Sequence, residues 1–361
     1  MNWKNELNKS ITTAEQLCDF LALPHSSIPA YRDLIRQFPM QITPYYLSLI
    51  DKNDPSDPIA RMCIPSFDEF DRSGSFDTSG ESDNTIQVGL QHKYSPTVLI
   101  LSTNVCAMYC RHCFRKRLVG LTEDELLEQF SKASTYVKSH PEINNVLISG
   151  GDAFLNPNPI IRAYLDEFCP LPNLDLIRFG TRTPVTLPMR IYDDPELIDL
   201  LKEYAKMKPL CVVTQFNHPR EITDQSRKAV ETLLECGISV RNQAVLLAGV
   251  NDDPAILADL FRGLTRINVI PYYLFQCRPV RGVKKHFQVP LKRAVEIVGK
   301  ARSELSGIAK SFRYVMSHPE GKIEILGILN NQLLLQFHQS KNAADEGRIF
   351  SVSLDETTCW L

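Results

Sequence analysis

Thr97-Val-Leu-Ile-Leu-Ser-Thr103, followed after two residues by Cys106-Ala-Met-Tyr-Cys110-Arg-His-Cys113, sets the reading of the whole chain. A short apolar run rich in β-branched residues and closed by a polar loop reads as a buried strand. The same unit recurs at 145–149 (NVLIS), 176–180 (LIRFG), 210–216 (LCVVTQF), 239–248 (SVRNQAVLLA) and 268–275 (NVIPYYLF). Amphipathic stretches that read as helices lie between them, at 122–140, 194–207, 223–237 and 254–264. Strands alternating with helices imply a parallel sheet covered on both faces. The expected class is α/β, a partial (β/α)6 barrel.

Residues 1–90 read as a helical N-terminal extension ending in a linker or long surface loop, the Gly/Ser-rich DRSGSFDTSGESDNT of 71–85. The barrel is assigned to 91–305. Residues 306–361 read as a small β-containing extension, with a hairpin turning at Asn330-Asn331 and a last strand in RIFSVSL.

The unusual residues all follow strands: the cysteines, then SGGDAF (149–154), GTRTPVTLP (180–188), FNHPRE (216–221), GVNDD (249–253) and QCRPV (276–280). In an α/β barrel those loops gather at one mouth, where active sites lie. Three thiols within eight residues, with no second pair elsewhere, are too few for a structural zinc site. They suit a [4Fe–4S] cluster on Cys106, Cys110 and Cys113 that keeps one iron open, to which S-adenosylmethionine can chelate. The other cysteines (18, 63, 169, 211, 236, 277 and 359) are scattered and read mostly as small buried hydrophobes. The net charge of −2 gives no field for nucleic acid or an anionic membrane. No apolar run reaches the roughly 20 residues of a membrane span, and the N-terminus lacks a signal peptide's apolar region. A cytoplasmic protein is expected.

The CxxxCxxC spacing resembles the radical S-adenosylmethionine superfamily. TPYYLSLIDKNDPSDPIA, CRHCFRKR, SGGDA, GTRTPVTLP, FNHPREIT, NQAVLLAGVNDD and PYYLFQC narrow the resemblance to the lysine 2,3-aminomutase family, from about Ile42 to Lys322. The resemblance implies an S-adenosylmethionine pocket lined by His112, Ser149, Gly150, Gly151, Asp152, Gln215 and Gln243. Gln215 stands where the lysine enzymes carry His. It also implies pyridoxal 5′-phosphate in a Schiff base with Lys322, its phosphate held at the positions of Lys93 and Thr97. The lysine enzymes have Arg at the second of these, so one charge is lost, with the Thr97 hydroxyl or a cation such as His92 to help. Arg115 matches the residue that takes the substrate α-carboxylate.

The lysine enzymes hold the distal ammonium with two aspartates. Their places are taken here by Arg278 and by Ser317, or by Val315 if the gap is placed differently. That reversal disfavours lysine and points to an α-to-β amino shift on an acidic amino acid, glutamate first and aspartate next. In an alternative reading Arg278 pairs with an internal carboxylate and leaves the pocket to a neutral side chain. Other readings are a lysine 2,3-aminomutase proper, a mutase acting on a protein lysine as in elongation factor P, a radical enzyme without pyridoxal phosphate, or a non-catalytic iron–sulfur protein. The resemblance further implies an electron donor such as flavodoxin or ferredoxin and a homo-oligomer. Cys359 alone near the C-terminus gives no zinc site there.

Overall fold

The computed structural model describes residues 3–121 and 123–361. Met1 and Asn2 of the N-terminal extension, and Thr122 at the start of the helix expected over 122–140, lie outside the described residues. Twelve strands form one sheet in chain order: β1 (Thr85–Gln87), β2 (Leu90–Tyr94), β3 (Thr97–Thr103), β4 (Asn145–Gly150), β5 (Leu176–Gly180), β6 (Leu210–Thr214), β7 (Ser239–Leu246), β8 (Ile270–Gln276), β9 (Arg313–His318), β10 (Gly321–Leu329), β11 (Gln332–Ser340) and β12 (Ile349–Ser353). β3 to β8 are parallel, as the repeated strand–helix unit requires. β1 and β12 are the two edges and do not pair with each other, so the barrel is open.

The parallel run does not end with the sixth unit. β9 pairs in parallel with β8, and β10 returns antiparallel along β9. The strands of 306–361 are thus continuous with the barrel wall, which is how Lys322 on β10 reaches its interior. The β10–β11 turn falls at Asn330-Asn331, both at positive φ (51° and 61°), as a two-residue hairpin of this hand demands.

Helices Phe130–Ser139, Asn158–Phe168, Pro195–Ala205, Asp224–Glu235, Pro254–Arg266 and Leu291–Ser303 cover the outer face. Leu165, Phe168, Leu200, Leu233, Phe261 and Ile297 bury their apolar stripes against it. The first of these helices is shorter than expected. Leu127 N–H donates to Leu101 O at 2.8 Å and its backbone lies on Gly89, which ties 123–129 to the sheet instead of letting it coil.

Along β4, β5 and β7 buried residues alternate with partly accessible ones. The accessible set, with Asn145, Ser149, Arg178, Arg241 and Gln243 among it, faces a cavity rather than a packed centre. The segment 71–85 is irregular, as expected, but it is no free surface loop. Thr78, Ser79, Glu81 and Asn84 are buried, and Ser75 bridges in parallel to Val280.

Candidate active site

A cavity of about 800 Å3 runs through the barrel from the cysteine loop to the level of Thr97 and Asn145. Cys106, Cys110, His112, Cys113, Arg115, Ser149, Gly150, Gly151, Asp152, Gln215, Gln243, Lys93, Thr97, Arg278, Ser317 and Lys322 all line it. Every residue singled out from sequence therefore faces one space, except Val315 and His92. Val315 is buried away from it, and His92 bonds Tyr136 and the Ser95 carbonyl instead.

Two buried ion-pair systems hold the cysteine loop. On one side Glu69 receives the Arg111 guanidinium (Nε to Oε1 2.9 Å) and the Lys116 ammonium (2.5 Å). Burial alone would raise the Glu69 carboxyl, but Arg111 and Lys116 outweigh it and hold the group below its ordinary value. On the other side Arg182 pairs with fully buried Glu221, donates to Gln215 O at 2.9 Å and reaches Cys110 Sγ at 3.1 Å. Tyr46 from the N-terminal extension donates to the same Glu221 at 2.6 Å. Sequence reading missed Glu69, Arg182 and Glu221; only their place in motif loops could have signalled the last two.

The glycines at the end of β4 are dictated by backbone proximity. Gly150 has φ +110°, and a Cβ at Gly151 would lie 2.4 Å from Val105 O, in the turn leading to Cys106. Asp152 N–H donates to that Val105 O at 2.8 Å. The buried Asp152 carboxylate accepts from Thr181 Oγ1 (2.5 Å), Thr183 Oγ1 (2.8 Å) and Arg182 N (2.8 Å). It ties the β4 and β5 loops together. His112 is buried and hydrogen-bonds the Asn217 amide at 3.2 Å; burial, then Arg182, lower it to about 3, so the ring is neutral.

At the other end, Lys322 Nζ sits 4.3 Å from the Tyr273 ring centroid and donates to Gln339 Oε1 at 3.0 Å. Burial, followed by Arg178, Arg278 and Lys93, lowers its amine to about 7. Ser317 stands opposite Lys322 in the β9–β10 ladder. Lys93 donates to Ser79 O (3.0 Å) and His318 O (2.5 Å). Glu81 joins Arg115 Nε (3.3 Å) and Arg117 Nη1 (2.7 Å), and its carboxyl stays below the ordinary value because those two cations and Arg278 outweigh burial. Arg115 also reaches Ser149 Oγ at 3.4 Å. Arg278 stacks on Phe114 at 4.2 Å, and its buried Nη1 has no hydrogen-bond partner.

Residues 100–261 match the Radical SAM superfamily. The L-lysine 2,3-aminomutase of Clostridium subterminale is 38% identical over 309 residues, 85% of this chain and 73% of that one. The glutamate 2,3-aminomutase of Clostridioides difficile (strain 630) is 37% identical over 322 residues, 89% of this chain and 75% of that one. The L-lysine 2,3-aminomutase of Bacillus subtilis (strain 168) is 36% identical over 323 residues, 89% and 67% respectively. The chain belongs to the lysine 2,3-aminomutase family of radical S-adenosylmethionine enzymes.

An aminomutase of this family is an isomerase that works with a [4Fe–4S] cluster and S-adenosylmethionine, and the residues present fit both. Among the described residues no three His, Cys, Asp or Glu side chains converge closely enough for one metal ion. Cys106, Cys110 and Cys113 of this aminomutase nevertheless face one space, and Cys110 lies beside the Arg182 cation, a donor set and countercharge that suit a wider polynuclear cluster. Pyridoxal phosphate also fits: the Lys322 amine is inside the cavity and biased to its neutral, nucleophilic form. No helix among the described residues is long and apolar enough to cross a membrane.

Proposed function

We propose that this aminomutase shifts the amino group of an acidic amino acid between its α- and β-carbons, with glutamate the first candidate and aspartate the next. One observation carries the reading. Arg278 places a guanidinium nitrogen without a partner inside the cavity that also holds the Lys322 amine. A buried guanidinium nitrogen left without a hydrogen bond is costly, and an anionic side-chain group of the substrate removes that cost. Glu81 makes its ion pairs with Arg115 and Arg117 and acts on Arg278 only through space, so Arg278 Nη1 keeps no hydrogen bond to the protein. The Clostridioides difficile relative, a glutamate 2,3-aminomutase, supports the same choice.

In this reading Cys106, Cys110 and Cys113 hold the cluster. His112, Ser149, Gly150, Gly151, Asp152, Gln215 and Gln243 form the S-adenosylmethionine pocket, and Asp152 also keeps the Ser149–Gly151 turn against the cysteine loop. Lys322 attaches pyridoxal phosphate, with Lys93 and Thr97 toward its phosphate. Arg115, fixed from behind by Glu81, takes the α-carboxylate. Arg278 takes the distal anion, and Ser317 supplies a neutral neighbour where an aspartate would repel it. When bound, the cluster and S-adenosylmethionine supply a carbon radical that abstracts hydrogen, and pyridoxal phosphate supplies a carbonyl through which the amino nitrogen can migrate. An electron donor such as flavodoxin or ferredoxin, a homo-oligomeric state and a cytoplasmic location belong to the same proposal. So does the division of the chain into 1–90, 91–305 and 306–361.

The test is anaerobic turnover of the reconstituted protein on a panel of amino acids. Glutamate or aspartate should give the β-amino product. Turnover of lysine without glutamate would sink the charge argument.

A further inference from the structure

Thr97 cannot replace the cation that the lysine enzymes place at its position. A phosphate monoester carries a charge of about −1.5 to −2 at neutral pH, whereas a hydroxyl gives one neutral donor. Lys93 is the other anchor, and two of its three N–H donors are committed to the Ser79 and His318 carbonyls. The missing charge is present two strands away. In β5, Ile177 and Phe179 are buried, so Arg178 between them points into the cavity.

Its position is fixed by Asn145. Arg178 Nη2 donates to Asn145 Oδ1, and Asn145 Nδ2 in turn donates to Thr97 Oγ1 at 2.9 Å. Thr97 and Asn145 are register partners across β3 and β4, and Leu147, two residues on, is the partner of Arg178 across β4 and β5. The guanidinium is thus tied to the hydroxyl that stands in the family's arginine position. Arg178 Nε is buried and has no hydrogen-bond partner. Arg178 and Lys322 line the same cavity.

We propose that Arg178 is the second cation of the cofactor phosphate site, reaching across the barrel to the place that Thr97 leaves neutral. This rests on the pyridoxal phosphate reading above. A planar fork suits phosphate oxygens, and Arg178 lines the cavity with an Nε whose hydrogen bond the protein does not use. Were Arg178 only a plug that fills space against Asn145, its removal would disturb any occupant of the cavity equally.

The chain freed of cofactor is titrated with pyridoxal 5′-phosphate and, separately, with pyridoxal, which lacks the phosphate. Uptake is read from visible absorbance and from borohydride trapping on Lys322. Arg178→Met should weaken pyridoxal phosphate by roughly tenfold or more relative to pyridoxal, a ratio in which any change in the Lys322 amine cancels. Arg178→Lys should fall between, and Thr97→Arg in the Arg178→Met background should restore phosphate-dependent affinity. Equal affinity of wild type and Arg178→Met for pyridoxal phosphate overturns the proposal, as does a parallel loss of both aldehydes in Arg178→Met and Arg178→Lys. If the wild type takes up neither aldehyde, the pyridoxal phosphate reading falls and takes this role with it.

Discussion

Replacing Arg278 by Met removes the charge on which the acidic-substrate reading stands, while a side chain of similar length still packs on Phe114. Arg278 Nη1 has no partner within the protein, so its hydrogen bonds are available to a ligand. One hydrogen bond to a charged group contributes about 1.5–3 kcal/mol, or roughly a 10- to 150-fold effect on kcat/KM for glutamate. For lysine the sign reverses. An ammonium about 4 Å from the guanidinium, at an effective dielectric of about 20, is repelled by about 4 kcal/mol, close to a thousandfold. Arg278→Met should therefore lower glutamate turnover by one to two orders of magnitude and raise lysine turnover from its background. An uncharged amino acid of similar size should change far less. The assay is anaerobic turnover with chromatographic separation of α- and β-amino products, at matched iron and pyridoxal phosphate content. The reasoning is refuted if glutamate kcat/KM in Arg278→Met stays within twofold of wild type.

Because Lys322 is lowered to about 7, covalent uptake of pyridoxal phosphate should rise with pH through about 7 and level off well before the ordinary lysine value. Arg278→Met should move that midpoint upward, since the guanidinium is one of the cations that disfavour the protonated amine. Glu69→Gln should cost about 3–5 kcal/mol in urea unfolding by leaving Arg111 and Lys116 buried without their carboxylate. Glu69 is held below its ordinary value of 4.5, so its contribution is complete above that pH and is lost as pH falls through the lower folded value. Gly151→Ala puts a methyl 2.4 Å from Val105 O and should reduce iron incorporation; Gly299→Ala, where the methyl meets nothing within 4 Å, should not.

The parallel strands were legible because each is a short apolar run between amphipathic segments, and the cysteine loop because thiols at that spacing have few other uses. The polar residues inside those runs were less legible. Arg178 and Asn145 interrupt apolar strands and become meaningful only when the inner face is seen to enclose a cavity. Segment 71–85 was misjudged as loose for a related reason. Its Gly/Ser content describes the backbone's freedom, but Glu81 is drawn onto Arg115 and Arg117, 34 and 36 residues further on, and local composition carries no record of that. The helix over 130–139 is short because Leu127 is claimed by Leu101, again a partner distant in sequence.

Each strand of the sheet lies beside its neighbours in chain order. A sheet so ordered can grow in step with synthesis, since every new strand finds its edge already in place. The cysteine loop follows the third strand, whereas Lys322 arrives on the tenth. The growing chain thus presents the thiols well before the amine, and among the described residues Gln339 of β11, which accepts the Lys322 hydrogen bond, is the last to join the cavity wall.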